Sequence, residues 1–223
     1  MQEPATSRCY DIWAGIYDRT FGALVHKRQR AALEQLQPKP GDRILDLGVG
    51  TGMTLEHYPD DVTIVGLDLS WGMLDKANHK RQRLGLKHTH LVQADAMYPP
   101  FAPRSFDHLM ITHTVSVVSD PPRLMRWARS LVKPGGQIVV LNHFRSANPL
   151  IGSVEKLVNP LCVKIGWRSD LSLEDCIGDA DLHVAYRFKL ATVDLWQIVV
   201  LTEHEPGLTR QRAAVDQGVN GER

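Results

Sequence analysis

"LDLGVGTG", Leu45 to Gly52, follows a short apolar run and spaces Gly48, Gly50 and Gly52 two residues apart. A glycine-rich turn from a strand into a helix lets backbone amides approach a ligand and turns a helix amino terminus toward a negative group. The spacing here is G-x-G-x-G, whereas the dinucleotide fingerprint is G-x-G-x-x-G, and the phosphate loop G-x-x-x-x-G-K-[ST] is absent. A nucleotide phosphate is therefore not the favoured ligand. Asp46, two residues before the first glycine, would repel a pyrophosphate but suits a ligand that carries an ammonium group.

Outward from this turn, β-branched runs alternate with helical patterns from residue 42, the rhythm of an α/β domain with a mainly parallel sheet. Strands are expected at 43–49, 63–69, 89–95, 106–115 and 137–144. One helix should begin at the N-cap Ser70 and stop at Gly85, and another should run from after Asp120 to "KPGG". A helix interrupted at Pro160, a short helix near 172–177, and two runs at 183–190 and 195–204 that can pair as an antiparallel ribbon follow. These elements make one domain over residues 1–204, with a helical lid at about 8–37. The tail 205–223, rich in Gly, Arg and Gln without aromatics, reads as disordered.

The second and third strands also end in acids, Asp68 of "VGLDLS" and Asp95 of "QADAM". Asp68 stands where a carboxylate accepts hydrogen bonds from two vicinal hydroxyls, and Asp95 where one accepts from an adenine amino group. Trp71 and Met73, at the start of the next helix, could sandwich that adenine. Ammonium, ribose and adenine together describe S-adenosylmethionine. Any one of these aspartates alone reads as a cap or turn residue, but three at successive strand ends around the glycine turn do not.

Composition bounds the remaining function classes. With 26 basic and 25 acidic residues the net charge is +1, so no global field draws the chain to nucleic acid or membrane, and any such attraction must be local. Cys9, Cys162 and Cys176 are odd in number and outside any C-x-x-C spacing, which fits neither a disulfide framework nor a zinc site. No metal requirement is visible. Neither a signal-peptide pattern nor a membrane-length apolar run occurs, which predicts a cytoplasmic protein, peripherally associated with the inner membrane face. The pentapeptide "HKRQR" occurs twice, at 26–30 and 79–83, and two solvated helix faces are the simplest account.

With "DLGVGTG" and the later "SLVKPGGQIVV", the chain resembles the class I S-adenosylmethionine-dependent methyltransferases over about residues 8–204. That resemblance implies a Rossmann-like seven-stranded sheet of order 3-2-1-4-5-7-6, strand 7 antiparallel, with helices on both faces. It also implies cofactor contacts at Thr51, Leu69, Ala96 and Thr112, beside Asp46, the glycines, Asp68, Met73 and Asp95.

The acceptor of the methyl group should lie beyond the carboxyl ends of strands four and five. "THTV" after strand four replaces the N-P-P-Y type motif of enzymes that methylate nucleobases or glutamine amides, and no base-stacking motif marks a nucleic-acid partner. Instead His113 and His143 fall at neighbouring strand ends, and an imidazole there can take the proton that an amine must lose before it attacks. "CYDIWAGIYDRTFG" resembles the lid of small-molecule methyltransferases, with Tyr10 and Tyr17 near the cofactor's methionine end. The helix that follows puts Phe21, Leu24, Val25, Ala32 and Leu36 near one face and His26, Lys27, Arg28 and Arg30 mostly off it. It can lie on anionic lipid or cover the sheet with its charges in water.

Taken together, "YDRTFG", "DLGVGTG", "THTVSVVSDP", "PGGQIVVLNHF" and "IGWRSD" look like the compact bacterial phosphatidylethanolamine N-methyltransferases. The resemblance implies stepwise methylation of the head-group amine toward phosphatidylcholine, with Tyr17 and His143 near the amine and Arg145 and Arg168 near the phosphate. Leu171 departs from the aromatic residue common after "GWR-x-D" in that family. Two other readings remain: a C- or O-methyltransferase of a quinone or other small hydrophobe, and a cofactor-binding protein without catalysis.

Overall fold

In the computed structural model, residues 22–146, 157, 159, 168–191 and 194–203 are described. The first part of the expected lid, to residue 21, most of the helix around Pro160 and the tail lie outside them, as do Cys9, Cys162, Tyr10 and Tyr17. The chain order is α1 (Gly22–Leu33), β1 (Arg43–Leu47), a single 3-10 turn (Leu55–His57), β2 (Thr63–Asp68), α2 (Trp71–Leu84), β3 (Thr89–Gln93) and β4 (His108–Thr112). Then come α3 (Pro121–Leu131), β5 (Ile138–His143), α4 (Leu173–Ile177), β6 (His183–Phe188) and β7 (Trp196–Thr202). The strands form one sheet of order β3-β2-β1-β4-β5-β7-β6. β1 to β5 are parallel, and β7 runs antiparallel to both β5 and β6. This is the methyltransferase sheet that the sequence led one to expect, with strand ends shorter by one to three residues, chiefly where the chain turns into the functional loops.

The helix boundaries follow local chemistry. The Ser70 hydroxyl accepts from the Met73 N–H at 3.2 Å, and Gly85, in the left-handed region at φ +66, turns its N–H back to the last carbonyls of α2. Asp120 accepts from the Arg123 N–H at 3.0 Å, and Pro121 occupies the first helical position, where a missing N–H costs nothing.

Side-chain alternation sorts the core into two layers. Leu45, Leu47, Leu109, Ile111, Ile138 and Val140 pack with Leu124, Met125, Ala128 and Leu131 of α3. On the other face Ile44, Met110, Val139 and Leu141 pack with Ala32 and Leu33 of α1 and Leu74 and Ala77 of α2. Each such Leu, Ile, Val or Met side chain contributes about 1.5–3 kcal/mol on burial. By the same alternation the second layer receives Asp46, a carboxylate where its neighbours are aliphatic. The order reverses between β1 and β4, so a crevice opens beyond the carboxyl ends of these strands.

Candidate active site at the carboxyl edge of the sheet

The glycine turn is held from both sides. Gly48 N–H and Val49 N–H both donate to the Leu67 carbonyl, at 2.7 and 3.0 Å, tying the turn to the end of β2. Gly48 has φ +83, and a Cβ there would sit 1.9 Å from Thr114 Oγ1, whose hydroxyl donates to the Leu47 carbonyl at 3.2 Å. No side chain fits between the β1 and β4 turns. Gly50, at φ +55, has nothing within 4 Å of the same position, so its outer face is open to a ligand.

Around the turn stand the three acids. Asp46 is fully buried, and its Oδ2 accepts from Thr54 Oγ1 at 2.5 Å and from the Tyr58 hydroxyl at 3.0 Å. Its Oδ1 is buried with no partner among the described residues. Burial pushes the carboxyl up to about 6, against the lowering by the two hydroxyls. Asp68 spans the turn, accepting the Gly50 N–H at Oδ2 and the Ser70 N–H at Oδ1, each at 2.9 Å. Asp95 accepts the Met97 N–H at 2.8 Å through Oδ1 and so caps its own turn, which leaves Oδ2 for a ligand. Thr51, Ala96 and Thr112 are buried beside these groups.

Trp71 and Met73, two positions apart on α2, lie on different helix faces. Met73 is buried and Trp71 is 66% exposed, so they are not the two walls of a slot. Exposed apolar surface at the end of β2 comes instead from Leu69 and Trp71.

Beyond β4 and β5 the chemistry changes. His113 is a non-glycine residue at φ +57, the sparsely occupied left-handed region, held there by its N–H bond to the Leu141 carbonyl at 2.8 Å. Its ring meets Trp196 edge to face at 6.0 Å, and its Nε2 is buried with no partner among the described residues. Burial, then the Arg28 guanidinium, pushes this imidazole down to about 4, so it is neutral at physiological pH. His143 Nδ1 donates to the Leu195 carbonyl at 2.8 Å, which sets the tautomer and leaves the lone pair on Nε2.

Arg28 is not the free lipid-facing cation expected of α1. Its Nε lies 3.0 and 2.9 Å from the two oxygens of Asp194, and its guanidinium stacks on Trp196 at 4.8 Å. Asp194, whose side chain is 1% exposed, also accepts the Trp196 N–H at 3.1 Å. Thus α1, the β6–β7 turn and the β4 end are locked into one wall that no sequence motif announced. Val25, Gln29, Ala32 and Leu33 are buried on α1, while Lys27 and Arg30 stay exposed, the latter paired with Glu34 at 3.2 Å.

Two arginines flank this wall. Arg168 N–H donates to the Ser116 carbonyl at 2.9 Å and Arg145 N–H to the Leu171 carbonyl at 2.8 Å, so both backbones are fastened over the ends of β4 and β5. The Arg168 side chain lies 3.4 Å from Asp170 and is 42% exposed. Leu171, the departure from the family's aromatic residue, is buried in the core beneath them. A hollow of about 450 Å³ on the outer face of α3 touches none of these residues, and one of about 310 Å³ near the amino end of β3 meets the site only at Tyr58.

Fold and site together define a class I S-adenosylmethionine-dependent methyltransferase. The methyltransferase-domain family matches residues 45–140. The chain is 34% identical over 185 residues to the phosphatidylethanolamine N-methyltransferase of Cereibacter sphaeroides, covering 82% of this chain and 90% of that protein. It is 29% identical to the demethylmenaquinone methyltransferase of Corynebacterium kroppenstedtii, over 66% of this chain and 64% of that one. The geranyl diphosphate C-methyltransferase of Streptomyces coelicolor A3(2), solved with S-adenosyl-L-homocysteine, superposes with TM-score 0.68 at 16% identity, over 80% of this chain and 79% of that one. The chain belongs to the class I methyltransferase family and is similar to a bacterial phosphatidylethanolamine N-methyltransferase over most of its length.

The residues present fit the cofactor. The orphaned Asp46 Oδ1 suits an ammonium, which would restore the ionised carboxylate that burial disfavours, and Gly50 leaves backbone open beside it. S-adenosylmethionine supplies a methyl group on a sulfonium, whose leaving thioether needs no proton.

Proposed function

We propose that the acceptor is the head-group amine of phosphatidylethanolamine and of its mono- and dimethyl forms. One observation carries this reading: Arg145 and Arg168 are fastened over the strand ends that present the imidazoles of His113 and His143. A phosphate and an amine a few bonds apart match that pairing, and a guanidinium fork suits the phosphate geometry. A quinone offers carbonyl oxygens but no anion to pair with the arginines.

The amine must lose a proton before it can attack. His113, near 4, holds a proton far too weakly to take one from an alkylammonium, so its role is to accept a hydrogen bond and orient the nitrogen. His143, whose Nδ1 is held by the Leu195 carbonyl, offers the lone pair of its buried Nε2 to that proton. The buried Arg28–Asp194 pair keeps the wall rigid, so the gain is mainly one of alignment. Tyr17, expected from sequence near the amine, lies outside the described residues. Lys27 and Arg30 on α1 and the exposed Leu190 and Leu195 beside the β6–β7 turn would meet the bilayer, and no helix among the described residues is long and apolar enough to cross it.

The test is a lipid profile of cells that lack phosphatidylcholine, with and without this protein. Appearance of mono-, di- or trimethylated phosphatidylethanolamine is expected, and Arg145→Ala with Arg168→Ala should raise KM for lipid while leaving cofactor affinity unchanged. An unchanged profile, with methylation of a demethylmenaquinone by the purified protein, would transfer the assignment to the quinone reading that the second group of relatives favours.

A further inference from the structure

Away from the carboxyl edge, α1 meets the 3-10 turn through three side chains with metal-ligating atoms. His26 Nε2 lies 3.1 Å from His57 Nε2 and 3.3 Å from Glu56 Oε1, and all three atoms lie within 4.8 Å of one another. A ring nitrogen carries either a hydrogen or a lone pair. If His26 Nε2 is protonated it can make one linear hydrogen bond, to Glu56 or to His57, but not both. If it is unprotonated, its lone pair faces a carboxylate that has only lone pairs to offer. No single protonation state satisfies both contacts, whereas a cation among the three atoms uses every lone pair at once.

The spacing agrees with such an ion. Tetrahedral zinc with bonds of about 2.0–2.1 Å sets its ligand atoms about 3.3 Å apart, close to the two short separations here. The rings are nearly perpendicular, at 84°, so their lone pairs can converge on a common point instead of stacking. His57 is held below its ordinary value, first by burial and then by His26, which keeps it in the neutral form that binds metal. The side chains of His26 and Glu56 are 42% and 37% exposed, so an ion can reach them from solvent. Arg30 and Lys80 add positive charge nearby, although Arg30 is engaged by Glu34.

We propose that His26, Glu56 and His57 form a binding site for a divalent transition cation, Zn²⁺ by ligand type, with water in the fourth position. The ion clips α1 to the turn whose Thr54 supports Asp46, and so links the helix that carries Arg28 to the glycine loop. The site is independent of which acceptor is methylated.

The experiment uses full-length protein stripped with a chelator and titrated with Zn²⁺ against a chromophoric competitor. One equivalent is expected to bind. His26→Ala and His57→Ala should each weaken it by about ten-fold or more, while His79→Ala, at an exposed histidine near only Asp75, should not. At about 100-fold excess over Kd, Zn²⁺ should raise the Tm of the wild-type protein by about 5 °C or more, a shift absent from the two variants. Co²⁺ gives a reading without mutation, because four-coordinate Co²⁺ shows intense visible d–d bands and six-coordinate Co²⁺ weak ones. Absence of a stoichiometric Zn²⁺ site, occupancy unchanged in both alanine variants, or only weak six-coordinate Co²⁺ bands would each overturn the proposal.

Discussion

The carboxyl edge of the sheet has two halves, and each contains one titratable group whose charged form burial disfavours. In the cofactor half Asp46 is kept protonated toward pH 6 by burial, and in the acceptor half His113 is kept unprotonated down to about pH 4 by burial and Arg28. The halves differ in how they are held. Asp46 is supported from Thr54 and Tyr58, and Asp68 from Gly50 and Ser70, all within 18 residues along the chain. The acceptor wall depends on Arg28 and Asp194, which are 166 residues apart, and on His143 and Leu195, 52 apart. A half built from local contacts can be altered without disturbing the fold far away. One built from distant contacts couples specificity to stability.

The largest consequence follows from Arg28. Arg28→Ala strands the Asp194 carboxylate, whose side chain is 1% exposed, as a buried unpaired charge, and should cost about 3–5 kcal/mol in a urea melt. Cofactor affinity should change little in the surviving folded protein. An equal loss in both would mean that the two halves are one unit. Next comes Gly48→Ala, whose Cβ would meet Thr114 Oγ1 at 1.9 Å in a backbone at φ +83. Moving that loop by an ångström should cost about 100-fold in S-adenosylmethionine affinity by calorimetry, and retained affinity would show that the β1 and β4 turns are not interlocked.

The same division decides what could be read in the sequence. The glycine turn, the three acids and both caps of α2 were legible because each rests on spacing along the chain, and the strand order followed from the family resemblance that those motifs carry. The acceptor wall was not, and the pentapeptide "HKRQR" shows why. Its second copy stays local on α2: His79 lies 3.7 Å from Asp75, and Arg81 reaches only Asn78 and the Thr89 carbonyl. In the first copy, His26 meets His57, Gln29 is buried, and Arg28 finds Asp194 across the whole domain. Identical residues took different roles because the second copy lies mostly on the outer side of α2, whereas the first lies where α1 packs beside the β6–β7 turn. The polar position within β1 was a usable signal, since alternation assigns Asp46 to an otherwise aliphatic layer.

Asp46 and His113 act on stability with opposite signs. The unfolded Asp46 carboxyl loses its proton near 3.8 and the folded one near 6, so the folded state holds more protons in that window and stability falls as pH rises through it. Unfolded His113 takes up a proton below about 6.5 and folded His113 only near 4, so here stability is lost as pH drops through that window. The wild-type contributions nearly cancel between pH 4 and 6. Asp46→Asn should expose the His113 slope, leaving a protein about 2–3 kcal/mol more stable than wild type above pH 6 yet poorer at binding the cofactor. His113→Gln should expose the opposite slope, about 2 kcal/mol after allowing for its partial exposure. Urea midpoints across pH 4–7 measure both, and parallel profiles for the two variants would remove this account of the site.

The smallest effect belongs to the charges of α1 that the fold leaves in solvent. Lys27→Ser with Arg30→Ser should change stability by less than about 0.5 kcal/mol, because neither side chain is buried and the Arg30–Glu34 pair is exposed. On the lipid reading the double substitution should still weaken sedimentation with anionic vesicles by about five-fold, since roughly 1 kcal/mol accompanies each basic residue at an anionic surface and Glu34 offsets part of Arg30. Leu195→Ser separates charge from apolar contact. Leu195 is 59% exposed, and its carbonyl, not its side chain, holds His143. A loss of vesicle binding in Leu195→Ser that persists at high salt would make the β6–β7 turn the membrane contact, whereas a loss confined to the α1 variant and to low salt would leave the bilayer to the charges alone.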